Sequence, residues 1–267
     1  MDRYDDFPSS HIVPRRVDVW LPRDYASEPD RRYPVLYMHD GQNCFNAGDS
    51  PSGAAWEVQR ALERLIATGE TEPAIIVGIW SISSHRYREY RPARPFLYIS
   101  EPAWRRITAG LGGWPLSDAY LAFITEELKP FVDSRYRTRP DRANTTIMGS
   151  SMGGLISLYA LCEYPAIFGA AACLSTHWPA VEGVILPYLR DHLPDPATHR
   201  LYFDFGTATL DALYRPVQTR VDAVMAGAGY TPGENWITRE FPGAAHFETD
   251  WQKRVHIPLR FLLDSSS

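Results

Sequence analysis

One serine in this chain stands where its hydroxyl can be made a nucleophile. In Gly149-Ser150-Ser151-Met152-Gly153-Gly154, Ser151 centres a G-x-S-x-G spacing, after a short expected strand at 145–148 and before a helical pattern at 152–163. A turn that tight between strand and helix holds its serine in a strained backbone conformation, and glycines are required where side chains would strike the neighbouring elements. It also delivers the hydroxyl to a helix N-terminus, where unpaired N–H groups favour developing negative charge. A serine remains a weak nucleophile until a base takes its proton. His246, in the small-residue loop Phe241-Pro242-Gly243-Ala244-Ala245-His246-Phe247-Glu248, is the candidate base. His256 falls inside a terminal helical pattern and His199 precedes a strand, positions that suit structural roles. The acid that orients the imidazole belongs after the penultimate strand. Asp211, just past the run 201–205, is favoured, because catalytic groups of open α/β sheets gather outside the carboxyl ends of strands; Asp204, inside the run, is the reserve. Charge developing on a carbonyl oxygen needs prearranged donors. The Met152 backbone N–H is one, and the Gln42 N–H in His39-Asp40-Gly41-Gln42-Asn43 is the other, with Gly41 permitting the turn.

Groups so far apart in sequence can meet only on a scaffold that aligns strand ends. Short apolar runs alternate with helical patterns along the chain, the signature of the α/β class with a mostly parallel sheet covered on both faces. The run 16–21 alternates with period two, as a half-buried edge strand does, whereas 33–38 and 74–80 are uniformly apolar, as central strands must be. Further strands are expected at 170–174, 201–205 and 236–241. Helices are expected at 55–67, 117–136, 152–163, 216–228 and 251–263, with Pro258 kinking the last or limiting its start. Residues 81–115 show no clear periodicity and read as an irregular, pocket-forming insertion in a single domain spanning 1–267; a loop that long is usually functional.

The balance of 267 residues, 45% apolar and 22% charged, is that of an ordinary globular protein, and the net charge of −5 argues against a nucleic-acid partner. Cys44, Cys162 and Cys173 are too few and too scattered for a disulfide framework or a zinc ribbon, and Cys162 and Cys173 sit in apolar stretches that suit buried thiols. Neither H-E-x-x-H nor a phosphate-cradling G-x-x-x-x-G-K occurs, and His246-x-Glu248 has no further ligands at metal spacing. The acidic start Met1-Asp2-Arg3-Tyr4-Asp5-Asp6 and the lack of any ~18-residue apolar run lead to the expectation of a soluble, cytoplasmic chain with no membrane partner and a frayed Ser265-Ser266-Ser267 tail.

Tyr33-Pro34-Val35-Leu36-Tyr37-Met38-His39-Asp40-Gly41-Gln42-Asn43, the 149–154 turn, the stretch Gly206 to Asp211 and the stretch Gly243 to Trp251 together resemble the putative-esterase branch of the α/β hydrolases. That branch includes esterase D, enterochelin esterases, feruloyl and acetyl esterases and the mycolyltransferases. The resemblance runs from about residue 10 to 263. It implies the α/β-hydrolase fold, Ser151 as nucleophile, His246 as base, Asp211 as acid, Gln42 and Met152 as oxyanion-hole amides, and no metal or organic cofactor. Arg86-Tyr87-Arg88-Glu89-Tyr90-Arg91-Pro92 and the residues after it are closer to the enterochelin-esterase side than to esterase D.

Residues 81–115 and Ser175-Thr176-His177-Trp178 are the expected pocket walls. Trp104, Trp114 and Trp178 either stack on an aromatic acyl group or a sugar face, or fill the core beneath the loops. His177 lies beside the pocket without an assigned role. Arg86, Arg88, Arg91 and Arg94 either hold an anionic substrate or, the favoured reading, tie the loop down through Glu89. The expected activity is hydrolysis of small esters, such as acetyl or hydroxycinnamoyl groups on sugars. A siderophore trilactone esterase, an acyltransferase using the same constellation, and a binding scaffold with a silent triad are the alternatives.

Overall fold

The computed structural model describes residues 1–109, 112–181 and 183–263; the 265–267 tail lies outside them. Its strands are β1 (Asp2–Phe7), β2 (Arg15–Trp20), β3 (Val35–His39), β4 (Ile75–Ile79), β5 (Thr145–Ser150), β6 (Ala170–Leu174), β7 (Arg200–Gly206) and β8 (Trp236–Phe241), in one sheet ordered β1-β2-β4-β3-β5-β6-β7-β8. β1, β2 and β4 pair antiparallel, and every pair from β4 onward is parallel. The central strands read as unbroken apolar runs because both faces are covered. On β3, Val35 and Tyr37 enter one core while Leu36 and Met38 enter the other.

The helices are α1 (Val58–Ala67), α2 (Ser83–Glu89), α3 (Glu101–Ala109), α4 (Ser117–Ala122), α5 (Lys129–Arg135), α6 (Met152–Glu163), α7 (Ile185–His192), α8 (Arg215–Gly227), α9 (Glu248–Arg254) and α10 (His256–Leu262). The core beside α1 and α10 contains Trp56, Leu62, Trp251 and Leu259; the core on the other face takes in α4 to α8. Eleven of the twelve residues of α6 are buried, which is why that segment shows no polar face.

Register decides what the sheet can do. Ser150 pairs with Leu174, Leu174 with Asp204, and Gly206 with Phe241, so β5 to β8 end along one edge. The residues that follow, Ser151, Ser175, Asp211 and His246, therefore emerge together from chain positions up to 95 apart.

Three expectations change. β1 was not anticipated: Asp5 and Asp6 are exposed and Asp2 accepts from the Tyr136 hydroxyl at 2.8 Å, while Tyr4 and Phe7 make edge contacts with Phe131. Residues 81–115 are not irregular, since α2, a 3-10 turn at Arg94–Tyr98 and α3 occupy most of them; arginines and prolines had masked the periodicity. The 117–136 helix is interrupted by a π-helical turn, Phe123–Leu128, ahead of Pro130, whose missing N–H and bulky ring disfavour continuous α-helix. The terminal helix follows expectation: it divides at Val255, and Pro258 sits in the first turn of α10, where its missing N–H has no helical partner to lose. Among the described residues no helix is long and apolar enough to cross a membrane.

Candidate active site

Ser151 takes φ 57° and ψ −121°, a conformation that costs a non-glycine residue on the order of 1–3 kcal/mol. Three contacts hold it there: its N–H donates to Leu174 O at 2.8 Å, and its carbonyl accepts from the His177 N–H at 3.1 Å and the Leu155 N–H at 3.1 Å. The glycines around it are demanded by space. A Cβ on Gly149 would lie 2.7 Å from the Gly153 backbone, and one on Gly154 would lie 3.1 Å from Leu174 O. The Ser151 hydroxyl is bonded to no protein group among the described residues.

The loops after β7 and β8 are stitched together. The Thr207 and Ala208 N–H groups both donate to Ala244 O (3.1 and 3.0 Å), the Gly243 N–H to Thr207 Oγ1 (2.7 Å) and the His246 N–H to Thr209 Oγ1 (2.8 Å). A Cβ on Gly206 would overlap the Ala244 carbonyl, so this approach requires glycine. Gly206→Ala is therefore expected to push the two loops apart, lowering Tm by several degrees and cutting esterase activity at least tenfold; thermal unfolding and turnover measured side by side would expose an error if both stayed at wild-type values.

Within the stitch, His246 Nδ1 lies 2.6 Å from Asp211 Oδ1. An ionised carboxylate only accepts, so this bond puts the ring proton on Nδ1 and leaves Nε2 with a free lone pair. Asp211 is fully buried. Burial alone would raise its carboxyl, but hydrogen bonds from His246, from the Ser175 hydroxyl and from the Gly206 N–H outweigh burial and hold it below the usual carboxylate range. Asp204, the reserve acid, is instead bound by the Arg254 guanidinium at 3.0 and 3.2 Å and by the Tyr202 hydroxyl at 3.0 Å, away from the imidazole. His199 bonds to Pro165 O and Asp195 O, and His256 opens α10; neither joins the cluster.

His177 connects serine to imidazole. Besides its backbone bond to Ser151, its Nδ1 sits 2.9 Å from the Tyr214 hydroxyl, and the Tyr214 ring meets His246 edge-on at 5.8 Å. Burial, then the neighbouring His246 and Arg86, lower the His177 pKa to about 4, so this ring is neutral above that pH.

The loop 40–43 begins with Asp40 in the left-handed region at φ 56°. Gly41 packs so closely on Gly78 and Trp80 that a Cβ would lie 2.7 Å from each. The Gln42 carboxamide grips Ser81, with Nε2 donating to Oγ at 2.7 Å and Oε1 accepting from the backbone N–H at 3.1 Å. Among the described residues neither the Gln42 nor the Met152 N–H donates to a loop, strand or side-chain acceptor. Arg86 binds both Asp40 oxygens at 2.7 and 2.8 Å. His39, behind it, is lowered by burial to about 3, so Asp40 has only Arg86 as its charged partner in this cluster.

The wall residues depart from expectation. Trp178 is 1% exposed and packs on Phe203, so its ring belongs to the core and cannot stack on a substrate. Trp104 and Trp114 pair edge-on at 4.5 Å, half-buried between α3 and α4. Glu89 does not gather the loop arginines: Arg15 holds it from β2 at 2.7 and 2.9 Å. Arg86 goes to Asp40, Arg88 to Trp114 O, Arg91 to Ala180 O and Arg94 to Glu163. Ser175, Tyr214, Trp251 and Arg254 were missed as neighbours of the acid and imidazole, because single residues on separate elements carry no local pattern.

The family model described as "Putative esterase" matches residues 12–258. The ferri-bacillibactin esterase BesA of Bacillus subtilis is 29% identical over 177 residues, covering 64% of this chain and 57% of BesA. Among solved structures, a ferulic acid esterase superposes with TM-score 0.70 at 21% identity, covering 98% of this chain and 97% of its own. An IroE-like serine hydrolase from Shewanella oneidensis does so with TM-score 0.75 at 19% identity, covering 98% and 79%. Those two likenesses carry the fold, and the family match, which extends from before β2 into α10, carries the chemistry: the chain belongs to this esterase family and is a carboxylic ester hydrolase of the α/β-hydrolase fold.

Proposed function

We propose that the chain hydrolyses carboxylic esters through an acyl-enzyme on Ser151. The observation that carries this reading is the 2.6 Å His246–Asp211 bond, which leaves Nε2 as the basic nitrogen on the strand edge that also presents Ser151. His246 takes the Ser151 proton as Oγ attacks the ester carbonyl, and the Gln42 and Met152 N–H groups receive the oxyanion. His246 then returns the proton to the leaving alcohol, and water, deprotonated by the same nitrogen, releases the acid. The reading requires Oγ and Nε2 to come within hydrogen-bond reach in the reacting complex.

For substrate, we infer acetyl or hydroxycinnamoyl esters of sugars or similar small esters. A second reading, a siderophore trilactone, is favoured by BesA as a sequence relative. Comparing kcat/KM for methyl ferulate, acetylated xylan and a trilactone siderophore, at equal enzyme concentration, separates them: a preference for the trilactone of tenfold or more would overturn the first. Treatment with diethyl p-nitrophenyl phosphate is expected to add one diethylphosphoryl group to the peptide carrying Ser151, seen by mass spectrometry. Modification elsewhere, with activity lost, would overturn the assignment of the nucleophile.

A further inference from the structure

Behind the acid lies a second layer of buried polar groups. The Ser175 hydroxyl is 2.6 Å from Asp211 Oδ2, 2.9 Å from Trp251 Nε1 and 2.9 Å from Arg254 Nη2. A hydroxyl has one proton to give and two lone pairs to receive. Indole and guanidinium nitrogens only donate, so Trp251 and Arg254 take both lone pairs. The proton of Ser175 has one place left to go, the Asp211 carboxylate. The direction of this bond is therefore imposed from outside the pair. We propose that Ser175 is a positioning residue for ester hydrolysis: its hydroxyl, polarised by Trp251 and Arg254, donates to Oδ2 of Asp211 and so fixes the plane and charge of the carboxylate that orients His246. The proposal rests on the triad reading above.

The surroundings are those of a site rather than of an incidental buried serine. Ser175 and Asp211 are among the least exposed residues of the chain, and Arg254 and Trp251 are also buried. Ser175 adopts φ 43°, in the left-handed region disfavoured for serine, while its N–H holds Asp204 O at 2.7 Å as the first residue past β6. That conformation is stored strain at the point where the hydroxyl must face β7. Arg254 reaches in from α9, bonds Asp204 Oδ1 at 3.0 Å and stands 4.0 Å from Asp211 Oδ2, so it is matched to two carboxylates at once. Gly206 N–H supplies the second donor to Oδ2 at 2.6 Å. With Oδ2 occupied twice, only Oδ1 is free to meet the imidazole. Trp251 does double duty, since its ring meets His246 edge-on at 5.0 Å while its N–H holds Ser175.

A purely structural serine and a positioning one differ in what they move. The test compares the 267-residue wild-type chain, Ser175→Ala, Ser175→Cys and Asp211→Asn on p-nitrophenyl acetate across pH. Ser175→Ala is expected to lower kcat by ~10–100-fold, the worth of one hydrogen bond to a charged group, with KM within about twofold. Without the Ser175 proton the carboxylate pulls harder on the His246 Nδ1–H and holds the imidazolium, so the acid limb of kcat/KM moves up by about half a pH unit. The other groups facing this pair are Arg254, Asp204, His177 and Tyr214, and all three variants retain them. Ser175→Cys, which keeps the shape and a weak donor, should recover part of kcat and stands in should the alanine variant fail to fold. Wild-type kcat and an unmoved acid limb in a folded Ser175 variant, with Asp211→Asn inactive, would overturn the positioning role and leave the triad standing. Full activity in Asp211→Asn would overturn the triad reading itself, and this inference with it.

Discussion

Ser151→Ala is expected to reduce kcat for p-nitrophenyl acetate by roughly 10⁵–10⁶-fold while leaving the protein folded. The size follows from the proposed covalent step: with no oxygen at the elbow, the proposed base His246 would have no nucleophile to activate, and only the oxyanion donors and substrate binding would remain, together worth roughly 10³–10⁴ over water. The fold should survive because the Ser151 side chain contributes no hydrogen bond among the described residues, and the bonds that hold the elbow run through its backbone N–H and carbonyl. Alanine occupies φ 57° with about the same strain as serine. Substrate affinity, read from KM or from binding of a non-hydrolysable ester analogue, should change little, since ground-state contacts come from the walls. Turnover of the alanine variant within tenfold of wild type, on protein with an unchanged thermal transition, would place the nucleophile elsewhere.

The elements that hold this serine were legible because both of their signals are local. The 152–163 helix is a run of buried residues that begins at the serine, and 170–174 and 236–241 are short apolar or alternating runs bounded by turns; all three appear with the expected limits. The order of serine, acid and histidine followed from chain position, and the strand register then brought all three to one edge. What could not be read depends on long-range contacts. β1 looks too acidic for a strand, yet as an edge strand it needs only Tyr4 and Phe7 on its inner face, packed against helical residues more than a hundred positions away. What separates Asp211 from Asp204 lies equally far off: Arg254, fifty residues downstream on α9, binds Asp204, while Asp211 meets His246. The neighbours of Trp178 in sequence leave pocket and core both open, and the core reading holds, because its ring packs on Phe203 from the 3-10 turn Trp178–Val181. Glu89 was expected to organise its own segment and is instead the counter-ion of a buried arginine on β2.

The second large effect is expected at Asp211→Asn, and the geometry of the acid makes the substitution more damaging than a lost charge. Two donors, the Gly206 N–H and the Ser175 hydroxyl, point at Oδ2, each at 2.6 Å. An asparagine carboxamide must therefore place its oxygen there and its NH₂ where Oδ1 meets His246. That NH₂ donates to Nδ1, moves the ring proton to Nε2 and leaves the nitrogen facing Ser151 without a lone pair. A fall of ~10⁴-fold in kcat is expected, with little change in KM. The same carboxylate gives a stability signature with a fixed sign. Its folded pKa is depressed, so its contribution to stability is present above the unfolded value of about 3.9 and is lost as pH falls through the folded value. Wild type should thus exceed the asparagine variant in Tm at neutral pH, and the gap should narrow only below about pH 4. Thermal melts from neutral to acid pH measure this directly; a gap that widened on acidification would mean that Asp211 is not the ionised, hydrogen-bonded partner on which the proposed mechanism depends.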